Sequence, residues 1–308
     1  MKKRVLITGA TGFLGSHCLR LLTNSDYDVF AVSRLPRSAV MDGIKWIQAD
    51  LLDPAHLSPL ISESKPTHML HLAWDVSQRD YRTSPDNELW LHSGIQLMKA
   101  FAKSGGERLV MAGTCAEYDW SNGLCSEITT PLRPASAYGQ SKNALQEELR
   151  KYSKGTGLSS AWGRIFYVFG PGEPPDRLIP SVIVSLLKRE EARCTHGDQI
   201  RDFLPVQDVA DAFIHLLESD IQGPVNIASG QAISIKDIVT RIGQALHSEH
   251  LLRFGAIPSR QDEAPKLVAD VRRLSEEVGW QPKQGLTAGL ETTIAWWRRE
   301  LAEEQRTE

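Results

Sequence analysis

The stretch RVLITGATGFLGSH, from Arg4 to His17, constrains the fold more than any other. An apolar run of strand length leads into glycines at positions 9, 12 and 15, and an apolar pattern of helical period follows at once. A strand that passes directly into a helix belongs to a crossover unit whose next strand lies parallel to the first. The alternation continues through DVFAVS, KWIQAD, HMLHLAW, a helix around GIQLMKAFAKSG, RLVMAGT and a helix from Tyr138 onward. Continuous apolar strands separated by helices require a parallel sheet covered on both faces. The expected fold is therefore α/β and doubly wound, with residues 1–167 forming the sheet domain.

After GRIFYVFGPGEPP, prolines and glycines crowd together and the rhythm becomes irregular. Residues 168–308 are expected to form a smaller, partly discontinuous C-terminal α/β lobe. Within it, segment 200–220 reads as a strand and helix returning to the first domain, with Asp208 as the expected N-cap.

Charge and composition narrow the partners. A net charge of −3, with no sustained basic or acidic block, argues against nucleic acid or a membrane surface as a ligand. The longest apolar stretches, such as LIPSVIVSLL, fall well short of the roughly 20 residues a bilayer requires. The first strand begins too early for a signal peptide, so a cytoplasmic protein is expected. Cysteines 18, 115, 125 and 194 have neither metal-ligand spacing nor disulfide density, so reduced thiols and no metal are expected.

Bare backbone between the first strand and its helix places free amides at a helix N-terminus, a natural seat for a pyrophosphate. Gly9 suits a tight turn, Gly12 a close phosphate approach, and Gly15 close packing of the helix. The second strand ends in Ser33 and Arg34, where a carboxylate would otherwise accept from the 2′-hydroxyl of NAD. A small residue followed by a cation favours the 2′-phosphate of NADP(H), with NAD(H) as the alternative. Asp50 is placed to accept from the adenine amino group, or to serve as a cap or salt-bridge partner.

PASAYGQSKNALQEEL sets Tyr138 and Lys142 four residues apart near a helix start, with Ser136 as a cap signal. A nearby ammonium is expected to lower the phenol pKa and make Tyr138 a usable acid or base. The strand LVMAGT runs out into Thr114, whose hydroxyl can bond the same substrate oxygen.

These motifs, together with HLAW, GTCAEY, GRIFYVFGPG, GDQIRDFLPVQDVA, VNIASG and VGWQP in order, make the chain similar to the extended short-chain dehydrogenases/reductases. That group modifies nucleotide sugars as epimerases, dehydratases and reductases. The resemblance implies a Rossmann-type domain whose cofactor is lined by Gly9, Thr11, Gly12, Phe13, Leu14, Gly15, Ser33, Arg34, Asp50, Leu51, Leu72, Ala73 and Trp74. It implies Thr114, Tyr138 and Lys142 as the catalytic set, with Lys142 holding the nicotinamide ribose. It further implies Tyr167, Arg201 and Arg260 on the substrate side, a nucleotide-diphosphate sugar as substrate, and a homodimer.

Departures from the family pattern refine the expectation. The 4,6-dehydratases carry Asp-Glu after the threonine, whereas Cys115 and Ala116 stand here and cannot do that acid/base work, so dehydration is disfavoured. Tyr167 replaces an asparagine, Trp74 crowds the nicotinamide side, and Leu91 stands where asparagine is common. The reading that results is an NADPH-dependent reductase of a 4-keto nucleotide sugar. Its alternatives are a 4-epimerase with retained cofactor, a reductase of a non-nucleotide aldehyde or ketone, and a cofactor-sensing regulator.

Overall fold

A computed structural model describes residues 2–37, 43–76, 80–259 and 263–307. The first half runs β1 (Arg4–Thr8), α1 (Phe13–Thr23), β2 (Asp28–Ser33), β3 (Ile44–Gln48), α2 (Pro54–Ser64), β4 (His68–His71), α3 (Asp86–Lys103), β5 (Arg108–Thr114), β6 (Leu124–Cys125), α4 (Ala137–Thr156) and β7 (Ser159–Ile165). It continues through β8 (Tyr167–Phe169), α5 (Leu178–Leu187), β9 (Ala192–Arg193), β10 (Ile200–Arg201), β11 (Phe203–Pro205), α6 (Val206–Glu218) and β12 (Gly223–Ile227). The last elements are β13 (Ile233–Ser234), α7 (Ile235–Ala245), β14 (Leu252–Arg253), β15 (Lys266–Ala269) and α8 (Gly285–Thr307).

Seven parallel strands form the central sheet in the order β12-β7-β5-β4-β1-β2-β3. This is the Rossmann-like, doubly wound sheet that the apolar runs predict. All seven residues of β5 are buried, as befits a strand covered on both faces. One face packs against α1 and α6 through Leu19, Leu22, Val209 and Phe213. The other packs against α2, α3 and α4 through Leu57, Leu97, Phe101 and Leu145. A third cluster, with Ile183, Ile238 and Trp297, joins α5, α7 and α8. A four-stranded sheet, β13-β10-β15-β6, lies apart from the central one. The chain runs outward from β1 to β3 and then starts again on the other side at β4, so β1 and β4 border the crevice where strand order reverses. Among the described residues, no helix is long and apolar enough to cross a membrane.

Two local expectations are corrected. Helix α3 begins at Asp86, well before Gly94, because Asp86 and Glu88 supply acidic residues to its first turn and Asn87 bonds the preceding backbone. Leu91 is therefore a residue of this helix, packed against the core. Helix α6 begins at Val206 after Pro205, so Asp208 is not its N-cap. Its buried carboxylate instead accepts from the backbone amides of Lys283 and Gln284, 3.2 Å each, and holds the turn leading into α8.

Two histidines on β4 make the sheet acid-sensitive. Burial pulls the His68 imidazole down to about 4 and that of His71 to about 3. Below an unfolded-state value near 6.5, the unfolded chain binds protons that these folded sites refuse, so stability falls as pH drops. Lowering pH from 7 to 4.5 is expected to remove about 2 kcal/mol per histidine. Urea unfolding at the two pH values checks this, and His71→Gln should flatten part of the slope.

Candidate active site

The loop after β1 has the geometry of a phosphate cradle. Gly9 has φ +68°, and a Cβ there would lie 2.8 Å from the Ala73 amide nitrogen. At Gly15 a Cβ would stand 2.0 Å from the Gly9 carbonyl oxygen, so the close contact of this glycine is with the loop. Helix α1 starts at Phe13 and Leu14 after Gly12, with no side-chain cap on its first amides. Thr11 is exposed at the turn. Leu72 and Ala73 leave β4 beside this loop, their amides bonded to the Thr8 carbonyl and hydroxyl, 3.3 Å each. Bare backbone and an uncapped helix start at the reversal crevice fit a dinucleotide pyrophosphate.

Ser33 is buried at the end of β2, and Arg34 after it is exposed. Asp50 is also exposed, and its Oδ1 accepts from the Leu52 amide at 3.0 Å. Leu51 is buried, and its carbonyl accepts from the Ser93 hydroxyl.

Thr114 and Tyr138 meet; Lys142 turns elsewhere. The Thr114 hydroxyl lies within hydrogen-bonding reach of the Tyr138 phenol. Tyr138 is set by α4, whose cap Ser136 accepts from the Gly139 amide at 3.2 Å. The Lys142 ammonium donates to the Ala112 carbonyl at 2.9 Å and lies 3.9 Å from the Trp74 ring centroid. Trp74 is fixed by its indole N–H on Asn87 Oδ1 at 2.8 Å and by stacking on Trp90.

The expected acidification of Tyr138 by Lys142 is therefore corrected. Burial raises the phenol pKa well above its ordinary value, Tyr81 adds to the rise, and the bond with Thr114 opposes it. Burial pulls the Lys142 ammonium itself down to about 7, against the upward influence of Glu117. Tyr138 is thus a protonated phenol at neutral pH.

Next to Thr114, the Cys115 thiol is buried and pushed up to about 12, so it is no nucleophile. The Tyr167 ring packs at a tilt of 55° against Phe203, centroids 5.5 Å apart, with the Arg201 guanidinium 5.3 Å from its ring centroid. Arg201 is buried, donates to the carbonyls of Ile200 and Ala264 at 2.9 and 2.8 Å, and stands 3.9 Å from Glu263. It does not pair with Asp202, whose carboxylate accepts from Ser229, Gly230 and Ala269. Arg260 lies outside the described residues.

Residue patterns alone missed Glu117 and Arg164. Their buried ion pair, 2.6 Å between Nε and Oε2, lies beneath Thr114, whose amide donates to Glu117 Oε1 at 2.8 Å. Trp162 donates its indole N–H to the same carboxylate, and Arg164 also donates to the Tyr118 hydroxyl at 3.0 Å. No spacing signals this pair, because its members sit on separate elements. Tyr81 was missed as well; its ring lies edge-on to Tyr138 at 5.1 Å.

The chain has relatives along nearly its whole length. UDP-glucuronic acid decarboxylase 1 of Xenopus tropicalis is 28% identical over 318 aligned residues, 97% of this chain and 73% of that protein. The structure of MoeE5 in complex with UDP-glucose and NAD is 30% identical with a TM-score of 0.84, covering 97% of this chain and 99% of the other. That of Thermus thermophilus UDP-glucose 4-epimerase in complex with NAD is 28% identical with a TM-score of 0.85, covering 96% and 99%. The model of the family described as "NAD dependent epimerase/dehydratase family" matches residues 5–228. With its glycine loop at the reversal crevice and a threonine–tyrosine pair at the neighbouring strand end, this chain belongs to the NAD-dependent epimerase/dehydratase family.

Proposed function

We propose that this protein is an NADPH-dependent reductase of a 4-keto nucleotide-diphosphate sugar. The observation that carries the reading is the Tyr138 phenol, kept protonated by burial and within reach of the Thr114 hydroxyl. A protonated phenol is ready to give its proton to a carbonyl oxygen receiving hydride, and less ready to take one from an alcohol. Nucleotide sugars are named for the relatives described above: UDP-glucuronic acid, and the UDP-glucose seen with MoeE5.

NADPH, when bound, would supply the hydride. Gly9, Thr11, Gly12, Phe13, Leu14 and Gly15 would hold its pyrophosphate; Leu51, Leu72, Ala73 and Trp74 would flank it, and Asp50 would reach the adenine. The NAD bound by MoeE5 and the Thermus enzyme supports a nicotinamide dinucleotide, while Ser33 and Arg34 support the 2′-phosphate. Tyr138 donates its proton to the nascent alkoxide and Thr114 donates a hydrogen bond to the same oxygen. Lys142, 3.9 Å from the Trp74 ring centroid, is the cation assigned to the ribose hydroxyls. Tyr167, Arg201 and Arg260 are assigned to the substrate side. In this reading residues 1–167, joined by 200–220, serve the cofactor, residues 168–308 shape the sugar site, and the family resemblance supports a homodimer.

Epimerisation at the same carbon is favoured by the kinship with UDP-glucose 4-epimerase. Incubation of the purified protein with NADPH and a 4-keto-6-deoxy sugar nucleotide separates the two. The reductase consumes one NADPH per turnover of the keto sugar; the epimerase, for which C4 of that keto sugar is no stereocentre, instead interconverts a 4-hydroxy nucleotide sugar and its C4 epimer with no net use of NADPH. The cofactor assignment has its own test: Arg34→Ala is expected to raise KM for NADPH about tenfold and leave KM for NADH unchanged, since only the former carries the phosphate. Equal effects on both would refute the Ser33–Arg34 assignment.

A further inference from the structure

Lys142 is 4% exposed, and little around it offers an ammonium the interactions that water would supply. Of its three N–H donors, one goes to the Ala112 carbonyl on β5. Among the described residues no carboxylate forms an ion pair with it. Three titratable groups lie around it on neighbouring elements and on its own. Glu117, bound to Arg164, favours the charge from beneath Thr114. His71 on β4 is neutral at pH 7, and Tyr138, one turn away on α4, is a protonated phenol. What remains is an aromatic face. The Trp74 ring centroid lies 3.9 Å from Nζ, whereas that of Trp162 lies 6.0 Å away, at the limit of a useful contact.

Trp74 is itself held firmly. Its indole N–H donates to Asn87 Oδ1 at 2.8 Å. The Asn87 amide is buried, and its Nδ2 donates to the carbonyls of Tyr81 and Ser84 at 2.7 and 2.8 Å, which fixes its orientation and leaves Oδ1 for the indole. Trp90 stacks on the indole, and the Tyr138 ring meets it edge-on with centroids 6.1 Å apart. The same segment is tied to α4, since the Arg82 carbonyl accepts from the Tyr138 amide at 3.0 Å. An indole fixed at its N–H edge and on its flank presents a defined face to the ammonium.

We propose that Trp74 is the positioning residue for Lys142: its indole face seats the ammonium so that a donor is left for the ribose hydroxyls of the nicotinamide nucleotide. The inference rests on the cofactor reading above and holds for either net reaction. A ring that only filled space would matter equally with or without the ammonium, and at any pH. A seat for the ammonium acts only through Lys142 and its charge. Removing the face withdraws support from the charged form, so Lys142, already pulled down to about 7 by burial, would lose its proton at a lower pH still.

The test is calorimetric titration of the full-length protein with NADP+ in a cycle of wild type, Trp74→Leu, Lys142→Met and the double variant. Trp74→Leu is expected to weaken NADP+ about fivefold in the wild-type background and less than about twofold in the Lys142→Met background. Repeated from pH 6 to pH 8.5, with Lys142→Met as the baseline for the ligand's own titration, the wild-type affinity should fall as pH rises through about 7. The midpoint should move down by about half a pH unit or more in Trp74→Leu, and by less in Trp74→Phe, whose ring keeps a weaker face. Trp74→Phe carries the same comparison should the leucine variant fail to fold. An equal loss in both backgrounds overturns the proposal and makes Trp74 a direct contact of the nicotinamide. A wild-type affinity that matches the Lys142→Met baseline at every pH, or a midpoint that neither variant moves, overturns it as well. Wild-type protein that binds neither NADP+ nor NAD+ overturns the cofactor reading, and this inference with it.

Discussion

Glu117→Leu is expected to destabilise the protein by about 3–5 kcal/mol, the range for removing one partner of a buried ion pair. The Glu117 carboxylate is fully buried and accepts from the Thr114 amide, the Trp162 indole and Arg164 Nε. Leucine leaves three donors without an acceptor and a guanidinium, itself 1% exposed, without its counter-charge. The double variant Glu117→Leu/Arg164→Met should recover at least half of the loss, since both charges leave together. Chemical denaturation of the single and double variants measures this, and a loss below about 1 kcal/mol for the single variant would show that solvent reaches the pair. Activity should fall in the single variant even where it stays folded, because Glu117 fixes the backbone of Thr114.

The second large effect is chemical. Tyr138→Phe is expected to lower kcat about 10²- to 10⁴-fold while leaving NADPH affinity within about twofold, the signature of a lost proton donor. The phenylalanine ring keeps the edge-on contact with Tyr81, so the site stays packed. The pH profile adds an independent check. The raised Tyr138 phenol remains protonated through pH 9, so the reduction kcat/KM should show no descending limb from this group below that value. Lys142, pulled down to about 7, is charged below neutrality and loses its proton above. Its charge is assigned to the ribose hydroxyls, so KM for NADPH should rise as pH rises through about 7, and Lys142→Met should abolish that inflection. Full activity in Tyr138→Phe would remove this residue from the mechanism.

How far residues and spacing reach is clear from particular cases. The parallel strands and the loop at Gly9 were legible because their causes are local. An apolar run between helices has few other places to go, and a left-handed φ beside a close backbone contact admits little but glycine. The helix spacing of Tyr138 and Lys142 was equally plain, yet it misled about their chemistry. One face of a helix does not ensure contact when Trp74, far away in sequence, offers the ammonium an aromatic ring at 3.9 Å. The N-cap assigned to Asp208 failed for a similar reason, since its buried carboxylate serves backbone amides on another part of the chain.

Sequence alone determined the sheet, the glycine loop and the set of side chains at its edge, because hydrophobic period and backbone sterics act over a few residues. Only the tertiary structure decided which of those side chains touch and what charge each carries. The Glu117–Arg164 pair spans 47 positions, and Arg82 meets Tyr138 across another long gap. Desolvation and pairing depend on atoms brought together by folding, and no local pattern encodes them.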